Sequence, residues 1–390
     1  MKNAHIGERS ALAGIPGTAL GRSVGFVDLA AQYAEISGEV RLGLDDIFAT
    51  SAYIGGPQVS FFERSYADFI GVNECVGVAN GTDALELALR AAGVGPGAEV
   101  IVPANTFIAT AEAISRCGAT VVPVDVDDRY LLIDPAKVAE AVTEKTRAII
   151  PVHLYGQCAF VEQLQEIADE CGASIIEDAA QAQGASRFGN AAGALGLLAA
   201  TSFYPGKNLG AAGDAGAVLT NDLDLAQKVR TMSAHGSRIK YEHERIGFNS
   251  RLDSVQAVVL NAKLARLKKW NAMRAKAAQR YSEMLGTLKG IVLPESAEGN
   301  LDAWHLYVVR VQRRSEVMEY LEAAGIATGI HYPTPIHLTE AYRSLGFGRG
   351  SFPVSEAAAQ SILSLPMHPH LAEDDQLYIC ETLDRALGAT

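Results

Sequence analysis

Cysteine is scarce in this chain of 390 residues, with only Cys75, Cys117, Cys158, Cys171 and Cys380. They are odd in number and scattered, and no CxxC pair occurs. That speaks against a disulfide framework and a thiolate zinc site. They read instead as small buried hydrophobes in a reducing compartment, and no metal site is expected. Positive charge is also short: 33 Lys and Arg stand against 45 Asp and Glu, a formal net charge of −12. The general field of such a chain will not grip nucleic acid or an anionic membrane, although backbone N–H groups and a few basic residues can hold an anion locally. No apolar block opens the chain. The first 24 residues include Glu8 and Arg9, which does not fit a signal peptide, and we expect a flexible leader over 1–24. One uncharged stretch, Phe188 to Gly206, is long enough to raise the question of a membrane span. Its Asn190, Gly193, Gly196, Thr201, Ser202 and Pro205 favour buried strand and turn. Nor does a GxGxxG follow the first strand-like run, which leaves a dinucleotide reading without its fingerprint. A cytoplasmic protein is expected.

What is present is globular: 48% hydrophobic and 20% charged residues, with 37 glycines. The length suggests two or three domains. Over the first two thirds, apolar runs alternate with helical patterns. The runs are Cys75–Ala79, Glu99–Pro103, Thr120–Val126, Arg147–Leu154, Ser174–Glu177, Leu198–Tyr204 and Ala215–Thr220. Strands that are apolar throughout and separated by helices predict an α/β fold with a mainly parallel sheet covered on both faces. From about Arg251 to Leu285, Val255, Val258, Val259, Leu264, Leu267 and Trp270 recur at helical spacing. A helix this long predicts a bend or a crossing between domains. Beyond it lie a strand at His305–Val311, a helix at Ser315–Ala324, a segment around His331 and a final helix. We therefore expect a large domain over 25–260 and a smaller C-terminal α/β domain over 261–390.

Open α/β sheets bind ligands beyond the carboxyl ends of their strands. After the first run the chain reads Asn80-Gly81-Thr82-Asp83 and enters a helix. Such a turn offers free N–H groups and a positive dipole end to a phosphate, or is an ordinary N-cap made by Thr82 or Asp83. The fifth run ends Glu177-Asp178-Ala179-Ala180-Gln181. A carboxylate in that apolar setting needs a cation or strong donors, as a functional group or as a strand-end cap or structural ion pair. The sixth run leads into Tyr204-Pro205-Gly206-Lys207-Asn208-Leu209-Gly210, where Lys207 stands alone in an uncharged, Gly-rich tract. Apolar surroundings disfavour the ammonium and make the amine a better nucleophile toward a carbonyl. Exposure on a loop is the plainer alternative. A phosphate cradle, a buried carboxylate and an activated lysine are together what pyridoxal phosphate requires.

These segments resemble the pyridoxal-phosphate-dependent sugar-nucleotide aminotransferases of fold type I, over nearly the full chain from about Phe26. The resemblance is carried by Asn80 to Leu85, by Pro103-Ala104-Asn105-Thr106-Phe107-Ile108-Ala109-Thr110 and by Glu177 to Gln181. Ser202 to Gly216, Gly247 to Asp253 and Leu365-Pro366-Met367-His368-Pro369 add to it. It implies a large domain with a seven-stranded, mainly parallel sheet sandwiched by helices, plus a smaller C-terminal domain. It further implies that Lys207 forms the Schiff base with pyridoxal 5'-phosphate and then moves the proton, the cofactor passing through pyridoxamine 5'-phosphate during turnover. By the same resemblance Asp178 pairs with the ring nitrogen, Gln181 with the ring hydroxyl, and Phe107 stacks on the ring. Gly81, Thr82 and Ser202 hold the phosphate, joined by Asn249 from a second subunit, which implies a homodimer with shared sites. On their own, Phe107 reads as plain core and Asn249 as a turn residue.

The substrate is narrowed by two departures. Relatives acting at C4 of the hexose carry a histidine two residues after the serine and a Gly-Glu-Gly-Gly further on. Here Tyr204 and Gly213-Asp214-Ala215-Gly216 stand instead. This is similar to the branch that aminates dTDP-linked 3-keto-6-deoxy sugars with glutamate as donor. Amination at C4, a UDP- or GDP-sugar, or a cofactor-binding regulator without turnover are the alternatives. Lys207 itself argues against the dehydratase branch, which has histidine there. For the sugar nucleotide the candidates are His235, Arg238 and Tyr241, whose loop precedes Asn249, and His331 and Tyr332 in the smaller domain.

Overall fold

The structure, a computed structural model, describes residues 22–389. The expected leader falls almost wholly outside them. Within them, Val24 is buried, and its strand-like bridge to Ile326 ties it into the C-terminal core. Two helices not marked by the sequence reading come first, α1 (Leu29–Thr50) and α2 (Pro57–Ile70).

The expected sheet follows. Its strands are β1 (Glu74–Val78), β2 (Glu99–Pro103), β3 (Thr120–Val124), β4 (Thr146–Ile149), β5 (Ser174–Asp178), β6 (Leu198–Ser202) and β7 (Gly216–Thr220). They lie in the order β1-β7-β6-β5-β4-β2-β3. Only β7 runs against the rest, pairing antiparallel with β1 and β6. Because side chains alternate along a strand, each one feeds two layers. Val100 and Val102 of β2 pack with α3 (Gly81–Ala91) and α4 (Ile108–Arg116), whereas Ile101 packs with Val138 of α5 (Pro135–Ala141) and Leu164 of α6 (Val161–Cys171). Both faces are thus dry, which is why these strands read as unbroken apolar runs. Helix α7 (Leu223–Ser233) adds Leu225 and Val229 to the first of these layers.

Helix α8 runs unbroken from Ser254 to Leu285 through the boundary expected at 260/261. Its first half presents Ala257, Leu260 and Leu267 to the core over β7, and Val258, Val259 and Trp270 to α1. Its second half presents Ala277, Ala278, Tyr281 and Leu285 to a separate C-terminal core. There β8 (Ile291–Val292), β9 (Tyr307–Val311) and β10 (Ile362–Leu365) form an antiparallel sheet, packed with α9 (Arg314–Ala323) and α11 (Glu373–Ala389). The remaining helix, α10 (Pro353–Ser361), is tied to the large sheet by Asp125, which accepts from the Val354 and Ser355 N–H groups at 2.9 Å. Among the described residues no helix is long and apolar enough to cross a membrane.

Candidate active site

A cavity of about 640 Å³ opens at the carboxyl ends of the parallel strands. Five strand ends contribute: Asn80 to Thr82 after β1, Thr106 and Phe107 after β2, Val152 and Leu154 after β4, Asp178 to Gln181 from β5, and Ser202 to Lys207 from β6. His331 and Tyr332 close it from the C-terminal side.

At one end stands the N-terminus of α3. Its cap is Asn80, whose Oδ1 accepts from the Asp83 N–H at 2.8 Å, rather than Thr82 or Asp83. Gly81 and the Thr82 side chain are therefore left facing the cavity beside Ser202. A Cβ on Gly81 would lie 2.6 Å from Ser202 Cβ, and one on Gly216 would lie 2.5 Å from the Asn80 carbonyl. Two glycines thus let the turn nest between β6 and β7, with N–H groups and hydroxyls gathered as an anion site requires.

Two adjacent carboxylates end β5, and strand alternation sends them to opposite faces. Glu177 points away from the cavity, accepting from the N–H groups of Gly193, Leu195 and Gly196 at 2.7–2.8 Å and from His153 Nε2 at 2.8 Å. His153 Nδ1 accepts from the Ala159 N–H, so the proton sits on Nε2. Glu177 is structural. Asp178, 6% exposed, turns into the cavity. It accepts from Thr110 Oγ1 at 2.8 Å and from the Ala180 N–H at 3.2 Å. Thr110 in turn lies 2.8 Å from the Thr106 hydroxyl.

Lys207 lies on the same cavity wall, held by a turn in which its N–H donates to the Tyr204 carbonyl at 2.8 Å. Burial pushes its ammonium down to about 8, against the pull of the Asp178 charge in the opposite direction. Burial also pushes His331 down to about 4 and holds the Tyr332 phenol well above its ordinary value.

Gln181 bridges the two halves of the site. Its Oε1 accepts from the Tyr155 N–H at 2.6 Å, and its Nε2 donates to Tyr332 Oη at 3.1 Å. Phe107 is half-exposed with its ring centroid 5.1 Å from that of Tyr332. The cavity therefore brings together Gly81, Thr82, Phe107, Asp178, Gln181, Ser202, Lys207, His331 and Tyr332. It does not include Asn249, His235, Arg238 or Tyr241. Those four are exposed, on or beside the hairpin of Ser237–Ile239 and Glu242–His243. Sequence reasoning missed Thr110, Tyr155, His305, Asp214 and Phe26. Of these, Thr110 and Asp214 lay in singled-out segments, at the end of the quoted Pro103–Thr110 stretch and within Ser202–Gly216.

The family profile described as the DegT/DnrJ/EryC1/StrS aminotransferase family matches residues 35–384. This chain belongs to that family. It is 47% identical over 360 residues to the erythromycin biosynthesis sensory transduction protein EryC1 of Saccharopolyspora erythraea, spanning 92% of this chain and 98% of that one. It is 46% identical to the dTDP-3-amino-3,4,6-trideoxy-alpha-D-glucose transaminase of Streptomyces venezuelae, spanning 92% and 95%. Among solved structures, S. venezuelae DesV in complex with a ketimine intermediate superposes with a TM-score of 0.91 at 45% identity, covering 93% of this chain and 98% of that one. The aminotransferases of this family depend on pyridoxal phosphate, and this member is a pyridoxal-phosphate-dependent aminotransferase of sugar nucleotides.

Proposed function

We propose that this enzyme transfers the amino group of glutamate to C3 of a dTDP-linked 3-keto-6-deoxyhexose. One observation carries the reading: a half-buried lysine and a buried aspartate share a cavity with the open N-terminus of α3. The donor set fits pyridoxal phosphate. Gly81, Thr82 and Ser202 would hold its phosphate, Asp178 its ring nitrogen, Gln181 its ring hydroxyl and Phe107 its ring face. When bound, the cofactor supplies an aldehyde for the amine and a ring that takes up electrons. The chain does the rest. Asp178, oriented by Thr110, would keep a proton on the ring nitrogen by its charge. Lys207, with an amine that is substantially neutral near pH 8, accepts a proton from substrate carbon and returns it. His331 and Tyr332 limit water on the sugar side.

The C3 assignment rests on Tyr204 and the Gly213–Gly216 sequence and on likeness to an enzyme named for a 3-amino sugar. Amination at C4, or of a UDP- or GDP-sugar, is the alternative within the same chemistry. The complete set of Lys207, Asp178 and Gln181 argues against a regulator without turnover. The exposed Asn249, with His235, Arg238 and Tyr241 alongside, suits a contribution to the site of a second copy in a homodimer, and a cytoplasmic setting suits the free cysteines. The test is direct. Glutamate should bleach the visible band of the holoenzyme, and dTDP-3-keto-6-deoxyhexose should restore it and yield an amine by mass spectrometry. Lys207→Ala should do neither while remaining folded. An active Lys207→Ala enzyme would refute the mechanism, and an amine formed only from 4-keto sugars would refute the substrate.

A further inference from the structure

Next to Lys207 the side chain of Asn208 is 1% exposed and saturated with hydrogen bonds. Its Nδ2 donates to Asn271 Oδ1 at 3.0 Å and to the Ala303 carbonyl at 2.7 Å, and its Oδ1 lies 3.1 Å from His305 Nδ1. Both amide protons are thus used on acceptors, so the remaining contact is one in which Oδ1 accepts and His305 Nδ1 donates. The imidazole tautomer is thereby fixed, with the lone pair on Nε2. No described residue bonds to Nε2, and His305 lines the cavity shared with Lys207.

The backbone of His305 is held as firmly as its ring. Arg274, three residues beyond Asn271 on α8 and 2% exposed, donates through Nη1 to the carbonyls of Trp304 at 3.3 Å, His305 at 3.4 Å and Met367 at 3.0 Å. Asn271 meanwhile donates to the Gln183 carbonyl at 2.8 Å. One stretch of α8 therefore grips the Lys207 loop and the His305 segment together. Burial, reinforced by the charges of Lys207, Arg274 and His331, holds the imidazolium of His305 well below its ordinary range.

We propose that His305 is a positioning residue for the Lys207 amine, its Nε2 accepting one amine proton so that the nitrogen lone pair is aimed at the reacting carbon. A primary amine has two N–H bonds and one lone pair, so an acceptor fixed on one side constrains where the lone pair points. The role rests on Lys207 being the acting amine. Misaiming by about 1 Å costs up to about 100-fold in rate.

The experiment pairs kinetics with a direct observation of the ring. In ¹⁵N-histidine-labelled holoenzyme, the signals absent from His305→Gln should show a protonated Nδ1 and a bare Nε2 from pH 6 to 9. His305→Leu should lose about 10- to 100-fold in kcat with KM little changed, and His305→Gln, which keeps an acceptor, should recover part of it. A proton on Nε2, an imidazolium in that range, or His305→Gln as impaired as His305→Leu would overturn the proposal. So would full activity in His305→Leu where Lys207→Ala is dead, which would leave the aminotransferase reading standing. Activity in Lys207→Ala would overturn both.

Discussion

Gly81→Ala would add one methyl group at the narrowest point of the site. The new Cβ would lie 2.6 Å from Ser202 Cβ and 3.2 Å from both Ser202 Cα and Oγ. Ordinary carbon–carbon contact is about 3.5–4.0 Å, so the overlap is about 1 Å. Ser202 cannot yield, because β6 is bonded between β5 and β7 in the middle of the sheet. Nor can the turn retreat toward β7, where a Cβ on Gly216 would lie only 2.5 Å from the Asn80 carbonyl. The N-terminus of α3 must lift, at an overpacking cost of about 1–3 kcal/mol. A shift of about 1 Å also carries its N–H groups from about 2.9 Å to beyond useful hydrogen-bonding range of a bound phosphate. Weakening one or two such bonds, at about 1.5–3 kcal/mol each for a charged acceptor, raises the cofactor Kd by at least tenfold. The assay titrates apoprotein with pyridoxal phosphate, following the visible band, alongside thermal unfolding. Gly38→Ala is the control. Gly38 lies inside α1, a Cβ there meets nothing within 4 Å, and it should stabilise by about 0.5–1 kcal/mol without touching Kd. Wild-type affinity in Gly81→Ala would show that this turn does not hold the phosphate.

Three further outcomes are expected. In the cofactor-free protein, the rate at which Lys207 reacts with a small aldehyde or anhydride should rise through an apparent pKa near 8. Because that value lies below the unfolded value of 10.5, the unfolded chain binds more protons in between, so Lys207's contribution to stability should improve as pH rises from about 8 to 10.5. A normal lysine titration would refute its burial. Asp178→Asn should retain cofactor yet lose orders of magnitude in turnover, and Thr110→Val should show a milder form of the same defect, about tenfold. Full activity with only a lowered Tm would make Asp178 structural. Lys207→Ala chains refolded together with chains impaired at Asn249 should regain activity, since one site of each mixed dimer is then intact. No recovery despite demonstrated mixing would place Asn249 in its own subunit's site or outside any site.

All seven strands of the large sheet were legible because each is apolar on both faces, and their ends pointed to Gly81, Asp178, Ser202 and Lys207. Helices α1 and α2 were not marked, since Leu42, Phe48 and Phe61 break a simple buried stripe by standing exposed. The support of the site was hidden for a different reason. Thr110 meets Asp178 across 68 positions and His305 meets Asn208 across 97. Neither meeting leaves a local pattern, because each depends on how strands and helices are set side by side. The turn at Asn80 shows the same limit. Several polar residues there can cap a helix, and it is the cap made by Asn80 that leaves Thr82 free.

Helix α8 has a consequence of its own. Its 32 residues span about 48 Å as one rod. The rod is anchored at one end by Leu260 and Leu267 in the core over β7, and at the other by Tyr281 and Leu285 in the C-terminal core. Midway, Asn271 and Arg274 hold the walls of the cavity. It therefore works as a ruler, setting the width of the cavity by its own stiffness. Any swing of the C-terminal core would be felt at Lys207 as torque on Asn208, so the cavity cannot gape without disturbing the residue that serves it.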